Sequence, residues 1–213
     1  MNGKDNAWKL LVVWTFLLTV ISGVSTGRII YVDDDGPADF NNIQAAVDDS
    51  NDADVIIIKT GRYTGAGNRD IDFMGKVITV RSLDPNDPNI VSNTVIDCQG
   101  SESEPHRGFK FNSGEKANSV LAGLTITNGY GPEDYIGDYT SWIGGAILCS
   151  SSSPTISNCI ITGNSAYDGG GICCCKGASP RIRDCSILNN IGVGGGNKVT
   201  AEQCRDNQLY YQK

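Results

Sequence analysis

The feature that most constrains this chain is an internal repeat with an offset of 26 residues. Ser153-Pro154-Thr155-Ile156-Ser157-Asn158-Cys159-Ile160-Ile161-Thr162-Gly163-Asn164 aligns without a gap on Ser179-Pro180-Arg181-Ile182-Arg183-Asp184-Cys185-Ser186-Ile187-Leu188-Asn189-Asn190. Both copies run on into a glycine triplet, at residues 169–171 and 194–196, and a diverged earlier copy begins at Leu121. Three apolar columns result: Leu121, Ile156 and Ile182; Leu124, Cys159 and Cys185; Ile126, Ile161 and Ile187. Between the last two stands the more polar column Thr125, Ile160 and Ser186, and such in-out alternation predicts short strands with one buried face. A second strand set is expected around Phe109-Lys110-Phe111, Ala146-Ile147-Leu148 and Gly171-Ile172-Cys173.

A unit of about 25 residues with three short strands cannot bury its own apolar face, whereas stacked units share one continuous core. The expected fold is therefore all-β: a right-handed, single-stranded parallel β-helix spanning residues 28–196. Asn164 and Asn190 fall at equivalent turns, where stacked Asn side chains can hydrogen-bond along the axis, and Asn158 and Asp184 suit left-handed turn conformations. At the N-terminal end, residues 28–32 read as a strand, followed by a turn at 33–36. Phe40, Ile43, Ala46 and Val47 fall on one face of a short helix opened by Asp39 or Asn41, placed to cap the stack. Residues 55–58 and 77–80 read as the first inward strands, with Gly61 and Gly75 at turns. After Gly196 the repeat stops, so residues 197–213 read as an irregular tail and the C-terminal end of the stack as incomplete.

Residues 1–27 read as an export signal. Lys4 and Lys9 precede an apolar run over 10–24, and Gly23, Val24 and Ser25 offer small residues for cleavage. The run is short of the roughly twenty residues needed to span a bilayer, so a cleaved signal and no stable membrane span are expected, an uncleaved anchor being the alternative. A secreted or cell-surface location follows. Eight cysteines in an exported chain would suggest disulfides. Their spacing instead follows the repeat, which favours small apolar core filler. A net charge of −7 argues against nucleic acid as a partner.

The stretch Phe40-Asn41-Asn42-Ile43-Gln44-Ala45-Ala46-Val47, with residues 55–58 and Gly61-Arg62-Tyr63, resembles the start of pectin-lyase-like right-handed β-helix proteins. Thr94-Val95-Ile96-Asp97 and residues 123–129 look like coils of that superfamily. Gly144-Gly145-Ala146-Ile147 is similar to the GGAI element of chlamydial polymorphic outer-membrane repeats, although their FxxN element has lost its aromatic, at Ile161 and Ile187. Enzymes of the superfamily imply paired acids, a histidine and a basic element. Only Arg181-Ile182-Arg183 matches any of these, and it reads better as an outward-facing strand decoration. The acid run Asp33-Asp34-Asp35 reads as solvent-facing.

The repeat length breaks between Thr125 and Ala146. The extra segment, 130–142, is expected to project as a loop, and it carries the candidate ligand-binding residues Tyr130, Glu133, Asp134, Tyr135, Asp138, Tyr139 and Trp142. Aromatic faces stack on sugar rings, and acids accept hydroxyl hydrogen bonds or hold calcium. The competing reading folds the aromatics back onto the flank of the rod. The preceding coil bulges at the same junction over 100–107, and the two bulges together would form a cleft beside His106, the sole histidine. The function read from these features is an exported module binding carbohydrate or a cell or extracellular surface. The alternative is a polysaccharide lyase or hydrolase, lacking recognisable catalytic residues.

Overall fold

The computed structural model describes residues 26–136 and 139–192. Residues 1–25 of the expected export signal, Gly137, Asp138, and the C-terminal residues from 193 onward, with the second glycine triplet and the tail, lie outside the described residues.

Three parallel sheets carry the architecture, and each complete circuit of chain among the described residues adds one strand to each. The first sheet stacks Ile29–Val32, Val55–Ile58, Thr79–Ser82, Val120–Ala122, Thr155–Ser157 and Arg181–Arg183. The second stacks Gly61–Tyr63, Thr94–Asp97, Thr125–Thr127, Ile160–Thr162 and Ser186–Leu188. Ile71–Asp72, Phe109–Phe111, Ile147–Ser150 and Ile172–Cys175 form the third. Among the described residues the chain is thus all-β, with parallel, stacked sheets and two short helices.

The alternation in the sequence sets the register. Ile156 pairs with Leu121 and Ile182, and Ile161 with Ile126 and Ile187, as the apolar columns require. Ile147 sits between Phe109 and Ile172. These side chains share one buried core with Leu124, Cys159 and Cys185, and Phe73 fills its wider part by packing edge-on against Phe111, with ring centroids 4.7 Å apart. A one-residue slip would send every Ile to the solvent face, so burial specifies the stacking strongly.

Turns are stacked as well. Asn158 and Asp184 hold φ of 55° and 54°, in the left-handed region that short polar side chains tolerate, and Gly123 takes φ of 68° at the same place one circuit earlier. At the next corner the side-chain amide of Asn164 donates to the carbonyl of Ile126 at 3.0 Å and to Asn190 Oδ1 at 2.9 Å. Its own oxygen accepts from the Gly129 amide at 2.8 Å. Asn190 repeats the move by donating to the Ile161 carbonyl at 2.8 Å. The Asn ladder thus supplies acceptors and donors where backbone leaves one sheet for the next.

In the first circuit, helix α1 (Ile43–Asp49) takes the place of the second and third strands and buries Ile43, Ala46 and Val47. Two expectations need correction here. The cap is Asn42, whose side chain accepts from the Ala45 amide at 2.9 Å. Asp39 is instead drawn to the Tyr31 amide at 2.8 Å, and Phe40 bridges to Val32 before the helix starts. The strand expected over 77–80 begins at Thr79, because the Val77 amide is taken by the Asp52 side chain at 2.8 Å. A further helix, α2 (Pro88–Ser92), had no expectation in the sequence; Asp87 caps it and Pro88 opens it.

All seven described cysteines are buried. Cys159 and Cys185 meet as neighbours in the stack, as do Cys149 and Cys174. Among the described residues, no helix is long and apolar enough to cross a membrane.

Candidate functional site

Two circuits carry long excursions between the second and third sheets. The first excursion follows Asp97 and ends at Phe109. Asp70, one circuit earlier, anchors it: its carboxylate accepts from the Arg107 amide at 2.9 Å and pairs with His106 Nδ1 at 2.6 Å. The Asp70 amide donates in turn to the Arg107 carbonyl at 2.7 Å. The next circuit is tied on through the Tyr130 amide, which donates to the His106 carbonyl at 2.8 Å.

The second excursion is a two-stranded antiparallel hairpin, Glu133–Ile136 against Tyr139–Trp142, with Glu133 opposite Trp142. The segment expected to project as a loop is therefore a paired hairpin, and the reason is local. Residues such as Tyr, Ile, Thr and Trp favour a pleated surface, and pairing satisfies the backbone of a segment that leaves the rod. The hairpin is fixed at its base: the Ile143 amide and Arg107 Nη2 both donate to the Pro132 carbonyl, at 3.2 and 3.3 Å. Ser141 Oγ donates to Asp168 Oδ2 at 3.1 Å.

Between the two excursions lies a cleft of about 340 Å³, lined by Asp70, Pro105, His106, Arg107, Lys110, Pro132 and Asp134. Arg107 has a side chain only 3% exposed, while Lys110 pairs with Asp72 at 3.2 Å. Burial pulls the Arg107 guanidinium below its usual pKa, and the charges of Asp134 and Asp70 work against that shift. Arg107 Nη1 stands 3.8 Å from Asp134 Oδ2, an ion pair too long for a hydrogen bond, and no other protein acceptor serves it among the described residues. In the same region Ile143, Leu148, Cys173 and Cys175 form a small separate buried cluster, in which the hydrogen bond between Cys173 and Cys175 pulls the Cys175 thiol below its usual pKa.

The seven candidate residues fall into different places. Asp134 reaches the cleft. Tyr135 is 63% exposed on the hairpin, and Glu133 is exposed with its Oε1 accepting from Thr140 at 2.6 Å. Tyr130 and Trp142 are half-buried and pack edge-on at the hairpin base, their centroids 5.5 Å apart. Tyr130 and Trp142 are thus folded in at the hairpin base, whereas Tyr135 stands exposed. Asp138 and the Tyr139 side chain lie outside the described residues.

Sequence reasoning found the cleft's two walls and His106 but missed Asp70, Asp72 and Lys110. Asp70 lies 36 residues from its partner His106, and only the register, with Ile71 opposite Phe109, brings them together. Arg181 and Arg183 are exposed around buried Ile182, as a surface decoration requires. In the acid run, Asp33 is buried and paired with Lys59 at 3.0 Å, against the expectation that the whole run faces solvent, because the Lys59 chain lies alongside it in the next circuit. The three carboxylates of Asp33, Asp34 and Asp35 lie within 4.8 Å of one another. Comparison with models of protein families, with curated proteins and with solved structures returned no match.

Proposed function

We propose that this chain is an exported right-handed parallel β-helix of the pectin-lyase-like type that binds carbohydrate at the cleft between the hairpin and the 99–107 excursion. The observation that carries the reading is the cleft itself. It is a concave site of about 340 Å³ whose rim presents polar groups of both signs, and the hairpin that forms one wall also carries the exposed Tyr135, which is not among the lining residues. Right-handedness is supported by the near-universal hand of parallel strand crossovers. Tyr135 offers a ring face to a sugar, and the rim of the cleft supplies hydroxyl-binding groups. The excursions rise from rigid sheets, which holds such a site in place at small entropic cost. Secretion or surface display agrees with the sequence of the first 27 residues, and Glu133, Asp134 and Asp138 of the 130–142 segment are the acids that would hold calcium with the ligand.

A second reading, a polysaccharide lyase or hydrolase, rests on one pair. His106 is oriented by Asp70 at 2.6 Å, the arrangement that leaves the other ring nitrogen available for proton transfer. Incubating the full chain with a panel of plant and algal polysaccharides, with and without calcium, separates the two. Saturable binding without product supports the module, whereas release of unsaturated or reducing ends establishes the enzyme. Neither binding nor product across the panel overturns both.

A further inference from the structure

A buried guanidinium without adequate partners is costly, since the interior weakens its hydration and offers nothing of equal strength in return. Arg107 is in this position. Its side chain is 3% exposed, Nη2 has a single carbonyl partner at 3.3 Å, and Nη1 has only the distant Asp134. The other charges around the cleft are already committed. Asp70 holds His106 and the Arg107 amide, and Lys110 is paired with Asp72. Asp134 is different, being a third exposed and carried on the hairpin, with its other oxygen accepting from the Tyr135 amide at 2.8 Å.

We infer that Arg107 is the receptor for an oxyanion, a carboxylate or a sulfate group, and that Asp134 is its built-in competitor, occupying the approach to Nη1 until a ligand oxyanion displaces it. Guanidinium prefers bidentate contact with planar or tetrahedral oxyanions, and Asp134 at 3.8 Å makes neither contact. The Asp134 carboxylate therefore shields the charge without satisfying its hydrogen bonds. An incoming oxyanion that closes to hydrogen-bonding distance gains what Asp134 forgoes. The inference does not depend on the ligand being a sugar, and it assigns Asp134 a sign opposite to that of a residue that helps to hold ligand.

The test titrates sodium acetate and, separately, sodium sulfate into the full chain at constant ionic strength against sodium chloride, followed by the NMR signals of the Arg107 side chain and amide. Asp134→Asn should tighten binding about five-fold, the factor that corresponds to about 1 kcal/mol of ion-pair competition removed. Arg107→Gln should abolish the response while circular dichroism reports an intact fold. If that variant does not fold, Asp134→Asn decides alone. Response to acetate alone identifies a carboxylate receptor, and response to sulfate supports the tetrahedral group too. Unchanged or weaker binding in Asp134→Asn overturns the inference, as does a folded Arg107→Gln that binds like the parent chain, or no response to either anion. Failure here leaves carbohydrate binding standing, because neutral sugars bound through Tyr135 would be unaffected.

Discussion

Asn164 allows the stacking account to be tested quantitatively. Its residue is 1% exposed, and its side chain makes four contacts at hydrogen-bond distance: it accepts from the Gly129 amide, and its two amide hydrogens are shared among the carbonyls of Ile126 and Thr162 and Asn190 Oδ1. Asn164→Ala removes all four and leaves the Gly129 amide and the Ile126 carbonyl without that partner in a dry corner. At about 1 kcal/mol net per bond, with buried groups left unsatisfied, the loss should be roughly 4 kcal/mol, a large share of a small domain's stability. Asn164→Asp is nearly isosteric and keeps the Gly129 contact, yet it turns a donor into an oxygen facing three acceptors. Burial beside those acceptors raises the folded pKa of the new carboxyl above its unfolded value of about 3.9. The protonated form suits the fold, so the penalty should be smallest below pH 4 and grow as pH rises toward 7. Urea denaturation of both variants and the parent at pH 4 and pH 7 measures this. A loss below about 1 kcal/mol for Asn164→Ala, or a pH-independent penalty for Asn164→Asp, would refute the ladder as a source of stability.

Ile161 is fully buried between Ile126 and Ile187, so Ile161→Asp should cost several kcal/mol and abolish the cooperative thermal transition; an unchanged Tm would contradict the register. Asp97 is pushed up by burial, but hydrogen bonds from Asn128, the Gln99 amide and Arg62 outweigh this and hold it below the usual carboxylate range. Its contribution is present above about pH 3.9 and lost as pH falls through the depressed value, so the stability gap between the parent and Asp97→Asn should shrink from pH 6 to pH 3. A gap constant with pH would show that the network adds nothing.

The stack was legible because its signal is periodic. Ile156, Ile161, Ile182 and Ile187 repeat at a fixed offset, and burial of one strand face leaves a single register that keeps them all inside. The Asn164 and Asn190 pairing could be read for the same reason, as equivalent corners of adjacent circuits. What lay outside the repeat was harder. Asn42 wins the helix cap over Asp39 because Asp39 is claimed by a backbone amide across the turn, a tertiary fact with no local mark. The hairpin was visible as excess length but not as paired strands, since its residues also fit a folded-back loop. Asp70 and Lys110 joined the cleft through register with circuits of unequal length, so their distance in sequence concealed their proximity. The cleft's position was therefore foreseeable and its charge pattern was not.

Titration of the polysaccharide panel into the parent chain and Tyr135→Ala bears most directly on the functional claim. Tyr135 is exposed and its side chain is not needed for the hairpin's backbone pairing, so the substitution should leave the fold and Tm unchanged. The account predicts that at least one polysaccharide binds the parent and binds Tyr135→Ala at least ten-fold more weakly, as loss of about 1.4 kcal/mol of ring stacking would give. Equal affinity of the two chains for a polysaccharide that binds would contradict it and move recognition away from the hairpin.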